Sequence, residues 1–161
     1  LNLAMKQIEE SDFLDFLQET LASYECRYEN IEFELIESQI MKNPKKSIRS
    51  LKKISDLGIS IAIDDFGTGY SSLSYLKSLP ISKLKIDRSF VQDLPQDCED
   101  AAISKTIITL CKNLNLNVIA EGVESVEQKN FMIENGCDFI QGYYYSRPLS
   151  TKDMTNYLSR F

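Results

Sequence analysis

Six short apolar segments alternate along the chain with longer segments whose apolar residues recur at helical spacing. The short segments predict strands at residues 1–3, 31–35, 59–63, 81–86, 118–120 and 139–140. Strands that alternate with amphipathic helices are typical of a parallel sheet, because each helix carries the chain back to start the next strand. The hydrophobic pattern therefore predicts an α/β fold.

Several predicted helices begin at residues with a capping function. Pro44 follows Asn43 at a first helical position, and Ser125 forms a capping box with Gln128. These signals predict helices that start near Ser11, Asn43, Ser125 and Ser150. In the last predicted helix we expect three side chains to face inward, namely Met154, Tyr157 and Leu158.

Polar side chains stand at the end of nearly every predicted strand, at Asn2, Glu34, Asp64 with Asp65, Lys85, Glu121 and Gln141. A (β/α)₈ barrel brings its strand ends to one rim, where its active site lies, whereas an open doubly wound sheet has its site at one switch point. We therefore expect a TIM-like (β/α)₈ barrel. Because a closed barrel has eight strands, we expect residues 1–161 to form a single domain, truncated at its N-terminus, that lacks the first strands.

Composition limits the possible chemistry. The chain contains no histidine, which excludes Ser-His-Asp and Cys-His nucleophilic sites and HExxH metal sites. Its net charge of −6 argues against binding to a nucleic-acid polymer, since such binding needs a basic face. An anionic substrate would be repelled unless metal ions or nearby Lys and Arg side chains offset the negative field.

The cysteines and the apolar runs indicate the cellular compartment of the protein. The four cysteines show neither a CxxC pair nor the spacing of a zinc site, so we expect reduced thiols in the cytoplasm, with Cys111 and Cys137 as small core residues. No apolar run approaches the roughly 20 residues that cross a bilayer. We therefore expect no membrane contact by this segment, and we leave open that a longer parent protein is tethered to the inner membrane.

Two adjacent carboxylates, Asp64 and Asp65, follow the apolar segment 59–63 and precede a loop with Gly67 and Gly69. One interpretation is a helix cap beside a solvated turn residue, but a turn needs only one cap. We favour a metal site, because paired carboxylates repel each other unless a cation lies between them. Oxygen ligands favour Mg²⁺ or Mn²⁺ over zinc, with Ca²⁺ as an inhibitor.

The segment DDFGTGYSSL, at 64–73, resembles the signature of the EAL family, the cyclic-di-GMP phosphodiesterases, at every position. Five further segments resemble family motifs in the same order. They are LNLA at 1–4, with Ala4 in place of serine, ELIES at 34–38, with Ile36 in place of threonine, LKID at 84–87, AEGVE at 120–124, and QGY at 141–143. The sequence is thereby identified as a member of this family over residues 2–149.

The resemblance implies hydrolysis of one phosphodiester bond of cyclic-di-GMP to the linear dinucleotide pGpG, with two bound Mg²⁺ or Mn²⁺ ions. It implies metal ligands at Asn2, Glu34, Asp64, Asp65 and Glu121. The catalytic residues would be Asp65, Lys85, which orients the nucleophile, and Glu121, a metal ligand or the base. Substrate contacts would come from Asp87, Gln141 and Arg147. Loop support would come from Glu37, Gly67, Gly69 and Glu124. Taken one at a time, most of these side chains are equally compatible with ordinary solvent-exposed positions.

The Glu-Ala-Leu strand that gives the family its name is absent from this sequence. In the family it supplies a metal-binding Glu and, nearby, a phosphate-binding Arg, so we expect this chain alone to be weakly active or inactive. An alternative is a non-catalytic EAL-like receptor or interaction module, and a weaker one is an unrelated barrel that acts on a sugar phosphate. We also expect a homodimer, because open sheet edges invite pairing or strand swapping.

Overall fold

Five parallel strands form one sheet in the described part of the computed structural model, which comprises residues 1–69 and 73–160. Neighbours in the sheet are also neighbours in the sequence, as they are in a (β/α)₈ barrel, whereas a doubly wound sheet reverses its order. The predicted α/β fold class is confirmed, with the strand order of a barrel. The strands are β1 (Glu32–Ile36), β2 (Ser60–Phe66), β3 (Lys83–Ile86), β4 (Asn117–Ala120) and β5 (Phe139–Ile140).

Helices connect these strands. The α-helices of the described residues are α1 (Met5–Ile8), α2 (Phe13–Ser23), α3 (Glu37–Ile40), α4 (Pro44–Ser55), α5 (Leu73–Leu76), α6 (Cys98–Asn113), α7 (Val126–Glu134) and α8 (Thr151–Leu158). Two short 3₁₀ turns lie at Tyr28–Asn30 and Arg88–Phe90. None of the described helices is both long enough and apolar enough to cross a membrane.

The predicted strand at residues 1–3 is an isolated bridge beside β1. Asn2 pairs in parallel with Glu34, and the backbone N–H of Leu3 donates to the Glu34 carbonyl oxygen at 2.9 Å. The backbone N–H of Glu34 in turn donates to the Leu1 carbonyl oxygen at 2.9 Å. The chain start therefore continues the sequential strand order on the outer side of β1.

β2 extends to Phe66, beyond its predicted end at residue 63, so that Asp64 and Asp65 lie within the strand. Its pairing with β3 shifts in register between Ile63 and Phe66, and Asp65 has a positive φ of 55°. Successive side chains of a regular strand point to opposite faces, and an irregularity of this kind redirects a side chain. The two carboxylates can therefore serve one site.

The buried apolar side chains of the described residues form one core, to which strands and helices both contribute. β2 is buried from Ile61 to Ile63, whereas β1 alternates buried apolar residues with partly exposed glutamates. Cys111 of α6 is buried and Cys137 is partly buried against this core. Among the most deeply buried side chains are Leu51, Ile54, Ile61, Ile63, Leu84 and Ile86.

Most of the predicted helix caps are confirmed. Asn43, Ser125 and Ser150 each accept a hydrogen bond from a backbone N–H in the first turn of the helix that follows. The prediction at Ser11 is wrong, because α2 begins at Phe13 and the residue in its capping position is Asp12.

The prediction that α8 buries its apolar side chains is wrong. Met154 is 43% exposed and Leu158 is 61% exposed, and none of the residues of α8 is buried. The helix follows β5, the last strand of the described sheet, so no further strand of the described residues lies beyond it to receive these side chains.

Candidate metal centre and active site

The Lys85 ammonium group lies at the centre of a cluster of carboxylates. Its Nζ atom is 2.9 Å from Glu34 Oε2, 3.1 Å from Asp64 Oδ1 and 2.7 Å from Glu121 Oε1. These partners come from β1, from β2 and from the residue that follows β4. The Lys85 side chain is only 4% exposed, whereas its partners remain partly open to solvent. The carboxyl ends of parallel strands thus converge on one buried cation.

Asp65 contributes a further carboxylate beside this cluster. Carboxylate oxygens of Asp64, Asp65 and Glu121 all lie within 4.8 Å of one another. The backbone N–H of Asp65 donates to Asp64 Oδ1 at 3.1 Å, and Thr68 Oγ1 donates to the Asp65 carbonyl oxygen at 2.8 Å. These bonds hold the left-handed backbone of Asp65, which is otherwise unfavourable for a residue with a Cβ atom.

The electrostatic environment of the cluster favours an additional cation. Burial, followed by the nearby charges of Asp64 and Asp87, raises the pKa of Asp65, although Lys85 opposes the shift. Burial also raises the pKa of Glu121, against the lowering effect of its hydrogen bond with Lys85. Burial lowers the pKa of Lys85 itself, but its hydrogen bonds to the carboxylates outweigh this and raise the pKa overall. The one ammonium of Lys85 therefore stays charged and relieves only part of the repulsion among the carboxylates.

Oxygen atoms also line the open side of the cluster. A pocket of about 440 Å³ is bordered by Asn2, Glu34, Asp64 and Asp65, among others. Carboxylate and amide oxygens without thiolate or imidazole ligands suit hard divalent cations such as Mg²⁺ and Mn²⁺. The residues that border this pocket therefore fit the divalent metal ions that the sequence predicts.

The segment after β2 is tied to α3 beneath it. The Glu37 side chain is buried, and its Oε2 accepts a hydrogen bond from the Gly67 N–H at 3.3 Å. Gly67 has a φ of 98°, and a Cβ atom there would lie 2.9 Å from Phe90 Cε2. Among the described residues, no atom lies within 4 Å of such a Cβ position at Gly69. The remainder of the predicted loop, residues 70–72, lies outside the described residues.

A second pocket, of about 520 Å³, lies beside Glu121 and includes two of the predicted substrate-binding residues, Gln141 and Arg147. The Arg147 guanidinium stacks on the Tyr143 ring, with Cζ 4.7 Å from the ring centroid. Asp87 does not border this pocket, and its Oδ1 accepts hydrogen bonds from the backbone and side chain of Ser89. A substrate contact by Asp87 stays a prediction.

The family model of the EAL domain matches residues 1–148. The chain belongs to the EAL domain family. The identification made from residues 64–73 and the other motifs is thereby confirmed.

Relatives and solved structures agree with this assignment. The chain is 44% identical to the cyclic di-GMP phosphodiesterase NbdA of Pseudomonas aeruginosa over 131 residues, which is 81% of this chain and 17% of NbdA. The structure of the MucR phosphodiesterase in complex with c-di-GMP shares 40% identity and a TM-score of 0.91, over 95% of this chain and 62% of that one. The chain spans about a fifth of the length of the curated relatives it matches.

Metal ions accompany the same ligand in a third protein. Klebsiella pneumoniae BlrP1 has been solved with cyclic-di-GMP and manganese, and separately with cyclic-di-GMP and calcium. The manganese complex shares 30% identity and a TM-score of 0.84 with this EAL chain, over 92% of this chain and 38% of BlrP1.

Two residues near the EAL site make contacts that the sequence interpretation did not predict. Arg88 borders the second pocket and pairs with Glu124, with Nη2 2.9 Å from Oε1. Gln128 was predicted only as a capping residue, yet its side chain also contacts the segment after β3. The position of Arg88 directly after Asp87 was the one sequence signal that placed it near the site. Its contact with Glu124 joins residues 36 positions apart, and sequence spacing does not reveal such a contact.

Proposed function

We propose that this EAL chain is part of a metal-dependent phosphodiesterase that hydrolyses cyclic-di-GMP to the linear dinucleotide pGpG. The observation that carries the proposal is the convergence of Glu34, Asp64 and Glu121 on Lys85, with Asp65 beside them. A relative named as a cyclic di-GMP phosphodiesterase, at 44% identity, supports the same substrate.

In this proposal two Mg²⁺ or Mn²⁺ ions are held by Asn2, Glu34, Asp64, Asp65 and Glu121, and Ca²⁺ binds without supporting turnover. When bound, such ions lower the pKa of a water molecule and neutralise negative charge on a phosphate. The remaining chemistry is carried by the side chains of the chain itself.

Lys85 and Glu121 have complementary roles in the proposed reaction. Lys85 stays protonated, because its pKa is raised. Its three N–H donors face Glu34, Asp64 and Glu121, so its Nζ would donate a hydrogen bond to the oxygen that attacks phosphorus in place of its bond to one of these carboxylates. Glu121 lies within hydrogen-bonding distance of Lys85, and a carboxylate of raised pKa is a suitable acceptor for the proton of the attacking water.

The second pocket would hold the remainder of the dinucleotide. Arg147 supplies a positive charge in a chain whose net charge is −6, and Gln141 supplies an amide that can donate and accept hydrogen bonds. Gly142 lets the backbone of this segment approach closely, because a Cβ atom there would overlap the Val123 backbone. Asp87 completes the proposed substrate contacts from the end of β3.

The proposal extends to the surroundings of the site. Glu37, Gly67, Gly69 and Glu124 would hold the loops around the metal ions. We propose that residues 1–161 belong to one EAL domain that reaches full activity only with further upstream residues, and that it works as a homodimer in the cytoplasm. The share of the MucR phosphodiesterase chain that is covered, 62%, is in line with this domain assignment.

The test is to incubate the purified chain with Mn²⁺ and cyclic-di-GMP and to measure pGpG by chromatography. Asp65→Asn is the matched control, since Asn tolerates the left-handed backbone at this position but carries no charge. Product from the wild type that is lost in the variant supports the proposal. Absence of product, even from a chain extended upstream, contradicts it, and binding of cyclic-di-GMP without cleavage would then indicate the receptor alternative.

A further inference from the structure

The loop between β4 and α7, residues 121–125, begins with Glu121. On one side, this loop is hydrogen-bonded to the segment that follows β5. The Val123 N–H donates to the Gln141 carbonyl oxygen at 3.1 Å, and the Tyr144 N–H donates to the Val123 carbonyl oxygen at 2.9 Å. The absence of a side chain at Gly142 permits this close approach. The segment after β5 therefore fixes the middle of the loop.

Gln128 bonds the same loop to the segment on its other side. Its Oε1 accepts hydrogen bonds from the N–H groups of Glu124, at 2.7 Å, and Ser125, at 3.0 Å. Its Nε2 donates to the carbonyl oxygen of Gln92 at 2.7 Å, in the segment that follows β3. The side chain belongs to α7 and is buried, with only 7% of the residue exposed. One amide therefore joins two segments that follow neighbouring strands.

A helix cap accounts for only part of this arrangement. In a capping box the side chain at the third helical position accepts from the N–H of the capping residue, here Ser125. The bond from Gln128 Nε2 to Gln92 contributes nothing to the cap, because it points away from the helix start to another segment. This bond instead joins α7 to the segment that follows β3.

Arg88 and Glu124 form a second link between these segments. Their ion pair, at 2.9 Å, is largely exposed to solvent, so its contribution to stability is small. The aliphatic part of Arg88 lies against Gly122, where a Cβ atom would overlap Arg88 Cγ. The side chain thus covers the backbone of the residue next to Glu121.

We propose that Gln128 is a positioning residue for Glu121. The backbone N–H of Glu121 donates to the Ile86 carbonyl oxygen at 3.2 Å, which fixes the start of the loop, and Gln128 fixes its end at Glu124 and Ser125. A loop fixed at both ends holds the Glu121 carboxylate against Lys85. This inference rests on the proposed function, since the role of Glu121 as a metal ligand belongs to it.

The experiment compares two variants that differ in which bonds they remove. Gln128→Glu keeps an oxygen that can accept from Glu124 and Ser125, but it replaces the donor to Gln92 by an acceptor. Ser125→Ala removes the side-chain oxygen that caps α7 and leaves the bond between Gln128 and Gln92 in place. The Mn²⁺ affinity of each variant of residues 1–161 is measured by titration calorimetry, and the midpoint of thermal unfolding is measured alongside.

We expect Gln128→Glu to weaken Mn²⁺ binding about tenfold or more, as is typical when the partner that orients a metal ligand is removed. We expect Ser125→Ala to lower the unfolding midpoint while it changes Mn²⁺ affinity less than about twofold. Wild-type affinity in Gln128→Glu, or an equal loss in both variants, would overturn the proposal and leave Gln128 as a helix cap.

Unfolding measurements separate this inference from the proposed function. If the wild type binds no Mn²⁺, the metal-dependent function fails, and the double-mutant cycle of Gln128→Glu with Glu121→Gln decides the positioning role. Non-additive changes in unfolding free energy, together with additive changes for Ser125→Ala with Glu121→Gln, support it. Additivity in both cycles contradicts it.

Discussion

Leu84 and Ile86 of β3, at the centre of the sheet, are fully buried, whereas Met154 and Leu158 of α8 are largely exposed. The centre also contains the buried Lys85 and the carboxylates around it. Charged groups are costly to bury, so a site of this kind requires a rigid, well-packed framework around it. None of the side chains of α8 is buried, and Met154 instead borders the open second pocket. The centre of the sheet therefore holds the charged cluster in place, whereas α8 mainly contacts solvent.

Replacement of leucine by alanine should change the free energy of unfolding far more at the centre of the sheet than in α8. Leu84→Ala should lower the free energy of unfolding by about 2–5 kcal/mol, because it leaves a cavity in the core. Leu158→Ala should change it by less than about 0.5 kcal/mol, because the side chain is already exposed. Urea unfolding measures both, and similar losses would mean that α8 is packed in solution.

The second effect compares a buried with an exposed ion pair. Lys85→Met should cost about 1–3 kcal/mol of unfolding free energy, since it leaves the carboxylates without their cation, although their partial exposure limits the loss. Lys46→Met removes the exposed pair with Glu9 and should cost no more than about 1 kcal/mol. Chemical denaturation without added metal is the measurement, and equal costs would contradict the central role of Lys85.

The third effect concerns the loop after β2. Gly67→Ala should destabilise the chain by about 1–2 kcal/mol, because Gly67 has a positive φ and Phe90 lies close to the added methyl group. The methyl group of Gly69→Ala would have no atom of the described residues within 4 Å, so this variant should change the unfolding free energy by less than about 0.5 kcal/mol. Thermal unfolding tests this pair, and the reverse order of stabilities would refute the geometry.

The smallest effect is on thiol reactivity, which should follow burial. Burial raises the pKa of the Cys111 thiol to about 12 and that of Cys137 to about 11, so both stay protonated at pH 8. Cys26 and Cys98 are exposed and should react first with a disulfide reagent. Rapid modification of all four thiols in the folded chain would show that the core opens easily.

The sequence predicted the part of the fold that depends on local pattern. Strand positions, the capping residues Asn43 and Ser125, and the convergence of polar strand ends followed from hydrophobic period and motif order. The end of β2 was misplaced, because a register shift at Asp65 depends on the pairing with β3 and leaves no periodic signal. The inward face of α8 was misjudged because amphipathic spacing does not specify what surface is available to cover it.

The candidate site was predicted only in part. Which residues lie near the Lys85 cluster followed from the family motifs, but the contacts of Lys85 with three strand ends required the register of the sheet. The links made by Gln128 and Arg88 join residues 36 positions apart in both cases, and sequence spacing cannot place such residues together.

In the proposed function, the carboxylates around Lys85 bind divalent cations. The test is to titrate the chain with Mn²⁺, follow free Mn²⁺ by electron paramagnetic resonance, and repeat the titration with Asp64→Asn, which alters one of the proposed ligands. Circular dichroism establishes that the variant is folded. The proposal predicts Mn²⁺ binding by the wild type and at least a tenfold weaker affinity in the variant. Absence of binding by the wild type, or equal affinity in the two proteins, would contradict it.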